Sequence, residues 1–100
     1  MEPYTVVYAQ AVIDFLLNEI TSKRVYERID RYRTILASFP DLGALYDPVY
    51  EAARPPFPCR AIAVPDTPFT LYYAIDEQLR RVNVFAIEHQ RTNPRGRFEG

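Results

Sequence analysis

Val25, Ile29, Tyr32, Leu36 and Phe39 recur at steps of 4, 3, 4 and 3. Only an α-helix puts such a series on one face. The other side of that helix carries Arg24, Glu27, Arg28, Asp30, Arg31 and Arg33. Pro40 ends it, because the residue ahead of a proline is pushed out of the α region. Ile13, Leu16, Leu17 and Ile20 set a shorter stripe within Ala9–Ile20, and Thr21 or Ser22 supplies an N-cap between the two helices. Two helices so closely joined form an antiparallel α-hairpin. No helical period follows residue 40, so helices are confined to the first part of the chain.

Strand-like runs take the rest. Tyr4-Thr-Val-Val-Tyr8 is β-branched and aromatic, and it precedes the hairpin. Cys59–Val64, Phe69–Ile75 and Arg81–Ile87 are separated by Pro65-Asp-Thr-Pro68 and Asp76-Glu-Gln-Leu79, both turn sequences. Short turns between three strands predict an antiparallel meander. In the middle run Phe69, Leu71, Tyr73 and Ile75 share one face. The expected fold is α+β, in the order β-α-α-β-β-β, with the sheet packed on the N-terminal α-hairpin as one domain over residues 1–100. Residues 40–58 hold Pro40, Pro48, Pro55, Pro56 and Pro58. They read as a stiff connection with little regular structure, laid down as a functional loop or lid.

Composition removes several function classes. The chain has 100 residues, 48% hydrophobic and 25% charged, which excludes a disordered or collagen-like chain. No apolar run reaches the roughly 20 residues that span a bilayer, and Met-Glu-Pro-Tyr is not a secretory leader, so a cytoplasmic protein with no membrane partner is expected. Cys59 is the sole cysteine and His89 the sole histidine. No internal disulfide, metal centre or cofactor is expected from them, nor a small-molecule substrate. Net charge is −1, but residues 1–53 carry −3 and residues 54–100 carry +2. A basic footprint must therefore be local.

The chain resembles the RelE/ParE superfamily of bacterial type II toxins. The resemblance spans nearly the whole sequence. It rests on the opening strand into Gln10-Ala11, the helices ending in Phe39-Pro40-Asp-Leu-Gly43, and the segments Cys59-Arg-Ala-Ile-Ala-Val64, Phe69-Thr-Leu-Tyr-Tyr-Ala-Ile75 and Val84-Phe-Ala-Ile-Glu-His-Gln-Arg-Thr-Asn-Pro94. It implies a toxin neutralised by a cognate antitoxin protein. Toxins on this fold act either on DNA gyrase or on the ribosome, where they cut mRNA without a metal.

Internal RNA cleavage needs a base for the 2′-hydroxyl, donors for the phosphorane and an acid for the leaving oxygen. Under the resemblance His89, Arg60 and Arg91 are the catalytic candidates. Arg91, Arg95 and Arg97 are candidates for holding target or nucleic acid. Departures favour the ParE side: Ala61 and Ala63 stand where RelE-type nucleases alternate basic residues. Thr70 replaces an early arginine, and Phe98 is the lone aromatic after residue 91. A gyrase-directed growth inhibitor is therefore the leading expectation. A ribosome-dependent endonuclease comes next, and a non-toxic binding module on the same fold third.

Structural readings stand beside these. His89 can satisfy a carbonyl at the sheet edge, and Arg60 can pair with Glu51 or Glu88. Arg91, Arg95 and Arg97 can be a solvated tail. Tyr72 and Tyr73 read as core, Glu51 as a solvated loop carboxylate rather than a base, and Cys59 as a buried inert thiol. Sheet edges and the hairpin, with Phe15 or Val12 if exposed, are natural antitoxin docking places.

Overall fold

The computed structural model describes residues 3–46 and 57–90. The elements are β1 (Thr5–Tyr8), α1 (Gln10–Asn18), α2 (Lys23–Ser38), a 3-10 turn at Pro40–Leu42, β2 (Ala44–Leu45), β3 (Arg60–Ala63), β4 (Phe69–Asp76) and β5 (Arg81–His89). The α+β class, the N-terminal pair of helices and the antiparallel meander are as expected, and the rest of the sheet is not. It has five strands in the order β1-β5-β4-β3-β2. The meander β3-β4-β5 is antiparallel, but β1 lies parallel to β5, so the sheet is mixed. After the meander, β5 still has an open side. The chain's first strand takes it, with Val6 opposite Val82. β2 adds two residues to β3 within the segment expected to lack regular structure. The rest of the proposed lid, residues 47–56, lies outside the described residues.

The helices start and stop for local reasons. Ser22 accepts a hydrogen bond from the Val25 N–H at 3.3 Å, so of the two capping candidates the serine is used. α1 has no side-chain cap; a Gln10–Asp14 bond at 2.9 Å ties its first turn across one face. At the far end Phe39 has φ −132°, Pro40 opens the 3-10 turn, and the Phe39 N–H still reaches the Ile35 carbonyl.

One core forms where both helices meet one sheet face. Val12, Leu16, Ile29 and Leu36 pack with Val64, Leu71, Tyr73, Val82, Val84 and Ile87. Each fully buried aliphatic side chain is worth about 1.5–3 kcal/mol relative to exposure. Two helix expectations need correction. In α1 the buried positions are Val12 and Leu16, whereas Leu17 is 70% exposed. In α2 Ile29 and Leu36 are fully buried, but Phe39, past the helix end, is 65% exposed. Val12 is therefore no docking residue, and Phe15 is half-buried edge-on against Phe69, with centroids 5.6 Å apart.

β5 does not alternate cleanly. Tyr72 faces Ala86 and Tyr73 faces Val84, so Phe85 is an extra residue in the ladder. This bulge lets Val82, Val84 and Ile87 all reach the same core despite their uneven spacing. Among the described residues no helix is long and apolar enough to cross a membrane.

Candidate functional site

Arg60 opens β3, directly across from Tyr73 in the register. Its guanidinium donates to the Gly43 carbonyl at 2.6 Å and to the Asp41 carbonyl at 3.4 Å, and pairs with the Asp41 carboxylate at 3.7 Å. The expected partners were Glu51 and Glu88. Glu51 lies outside the described residues, and Glu88 instead accepts from the Tyr72 hydroxyl at 3.0 Å. Tyr73 completes the bracket from below. Its fully buried hydroxyl accepts from the Gly43 N–H at 2.8 Å and donates to the Pro40 carbonyl at 2.7 Å. Burial raises the pKa of this phenol, so it stays a donor. A Cβ on Gly43 would stand 2.7 Å from that oxygen and 2.9 Å from the Ala61 carbonyl, so only glycine fits. Arg60, Tyr73 and Gly43 thus fasten the 3-10 turn to the sheet.

His89 closes β5 at the other end, opposite Phe69. Its ring stands edge-on to Phe69, with centroids 5.6 Å apart and planes at 82°. Phe15, Phe69 and His89 make a short aromatic column at the rim of the core. The next residue turns back: Gln90 N–H donates to the Pro68 carbonyl at 2.7 Å.

The structure does not bring Arg60 and His89 together. Their partners on β4, Tyr73 and Phe69, are four residues apart, which is about 13 Å along a strand, and the two flank β4 on opposite sides, about 10 Å across. Arg91, Arg95 and Arg97 lie outside the described residues. Cys59 is 4% exposed, and burial pushes its thiol pKa up, as fits an inert thiol. Tyr72 and Tyr73 are both buried, as read from the sequence. Among the described residues no group of three or more His, Cys, Asp or Glu side chains is placed to hold a metal ion.

Three features escaped the sequence reading. The Tyr73 bracket could have been suspected, since a tyrosine on the core face of a central strand needs a partner for its hydroxyl. The same rule applies to Tyr8. Its hydroxyl is buried and, among the described residues, has no hydrogen-bond partner. The third feature is at the start of β1, where Tyr4 donates to Glu77 at 2.6 Å while the Arg80 guanidinium lies 4.4 Å over its ring. Arg80 holds a left-handed backbone, φ 50°, in the β4–β5 turn.

No family model, curated protein or solved structure matches this chain.

Proposed function

We propose that this chain is the toxin half of a bacterial type II toxin–antitoxin pair, held by a cognate antitoxin and inhibiting growth through DNA gyrase rather than by cutting RNA. The family half of this reading rests on the ordered motifs of the sequence. The choice of target rests on one observation. Arg60 is engaged with Asp41 and Gly43 at the end of the sheet remote from His89. A base for the 2′-hydroxyl and a donor for the phosphorane must reach the same phosphate within hydrogen-bond distance, and His89 and Arg60 do not converge.

The test is induced expression of the chain alone in a bacterial host, beside His89→Ala, Arg91→Ala and Arg60→Ala. Growth, pulse-labelled protein and DNA synthesis, and mRNA 5′ ends are followed. Stalled DNA synthesis with intact messages is the expected result, and His89→Ala keeps it. New message ends within codons, lost in His89→Ala, would make the chain a ribosome-dependent nuclease. A soluble, well-expressed chain without effect would leave a binding module on the same fold.

A further inference from the structure

The two helices of the hairpin rest on different strands. α1 packs on β5 and α2 on β1, with less contact between the helices themselves. Tyr8, the last residue of β1, reaches the space between them. With Ile13, Leu16 and Leu17 of α1, and Tyr26, Asp30 and Arg33 of α2, it lines a cavity of about 250 Å³. Leu17 and Tyr26 are exposed, so the cavity opens to solvent on their side.

The Tyr8 hydroxyl is buried and, among the described residues, has no hydrogen-bond partner. The groups whose fields reach this phenol are Asp30, Arg33 and Tyr26, all of which line the cavity, so its oxygen lies on the cavity side. Burial pushes its pKa up to about 12, so it keeps its proton and can donate. Buried polar groups without partners are rare in folded proteins and call for a reason. Phenylalanine would fill the same space without that cost.

We propose that this cavity binds a small, neutral, aromatic molecule whose one hydrogen-bond acceptor receives the Tyr8 hydroxyl. Size follows from volume. An apolar cavity of about 150 Å³ takes benzene, so about 250 Å³ takes a fused pair of rings with about ten non-hydrogen atoms. Aromatic character follows from the walls. The Tyr8 and Tyr26 rings offer faces and edges to another ring, and Ile13, Leu16 and Leu17 supply the apolar remainder. Neutrality follows from the rim. Asp30 and Arg33 pair with each other at 3.4 Å, so no uncompensated charge there favours an ion. One placed polar group in an apolar pocket is the usual device for fixing a ligand's orientation.

The site is independent of the growth-inhibition reading, and a binding assay is silent about toxicity. The probes are quinoline, whose ring nitrogen is the acceptor, and naphthalene, which has the same shape and none. Methyl resonances of the full chain are followed by NMR at neutral pH. Quinoline should shift Ile13, Leu16 and Leu17, with a dissociation constant of roughly 0.1–1 mM. Tyr8→Phe should weaken quinoline about tenfold. Naphthalene at its solubility limit should shift the unaltered chain and Tyr8→Phe alike, which shows that the cavity itself is unchanged. If Tyr8→Phe does not fold, the nitrogen resonance of isotope-labelled quinoline carries the test: on binding to the unaltered chain it must move as a hydrogen-bonded ring nitrogen does. Equal quinoline binding by both proteins, as a phenol already satisfied by bound water would give, overturns the proposal. So do silent Ile13, Leu16 and Leu17 methyls, or a ligand nitrogen that stays unbonded.

Discussion

Replacing Tyr73 with phenylalanine keeps the ring and deletes one oxygen. That oxygen joins the Gly43 N–H at 2.8 Å to the Pro40 carbonyl at 2.7 Å. Gly43 is buried, so its N–H would lose its partner without gaining water. A buried unsatisfied donor costs about 1–3 kcal/mol. The Pro40 carbonyl is half-buried, so hydration offsets part of its loss. A destabilisation near 2 kcal/mol follows, or roughly 8–16 °C in Tm for a domain of this size. Gly43→Ala should also destabilise, because its Cβ would meet both the Tyr73 oxygen and the Ala61 carbonyl. The two changes should not add. In the double variant the contact with the phenol oxygen is gone, while that with the Ala61 carbonyl remains. The combined loss should therefore fall short of the sum by about 0.5–3 kcal/mol. Urea unfolding followed by circular dichroism measures all four corners of the cycle. Strict additivity, or a Tyr73→Phe cost below about 0.5 kcal/mol, would falsify the bracket as a stabilising contact.

Tyr8→Phe should do the reverse and stabilise by about 1 kcal/mol, because its hydroxyl is buried without a partner among the described residues; a clear loss in urea would show that the hydroxyl is satisfied. Burial pushes the Tyr8 hydroxyl up to about 12, from an ordinary 10.0. Below pH 10 both folded and unfolded chains keep this proton; above it the unfolded chain releases it first, so stability falls as pH rises from 10 towards 12. Tyr8→Phe should show a shallower fall when stabilities at pH 9 and pH 11.5 are compared. Ile29→Ala empties a fully buried position between α2 and the sheet and should cost about 2–5 kcal/mol in the same unfolding assay. Arg28→Ala breaks the pair with Asp66 at 3.0 Å, yet both side chains are well exposed. Its loss should stay within about 1 kcal/mol and shrink in salt.

The parts legible in the sequence were those governed by local rules. The α2 stripe, the proline that ends it, the Ser22 cap and the turns on both sides of β4 each depend on a few neighbouring residues. Pairing between distant segments was not legible. Nothing in Tyr4–Tyr8 says that it runs parallel to Arg81–Val84, and a two-residue strand at Ala44–Leu45 has no pattern to detect. Ile87 broke the alternation of its strand, and the bulge at Phe85 explains why it is nonetheless core. In the candidate site Arg60 was visible as a residue, but its partner Asp41 was not, because the 3-10 turn that presents Asp41 is tied down by Tyr73, 33 residues from Pro40. Leu17 misled because the helical period locates a stripe only to within about one residue's rotation, some 100°.

The parallel pairing of β1 with β5 also dictates the order in which this chain can fold. Val6 and Val82 are register partners 76 residues apart. Hairpins such as β4–β5 close a short loop and can form early, whereas joining segments so far apart is entropically slow. During synthesis the first strand leaves the ribosome long before its neighbour exists. Until β5 arrives, β1 has two open edges, and any extended segment that recognises one of them competes with the chain's own completion. Completion of the sheet closes that interval and leaves β1 a single edge.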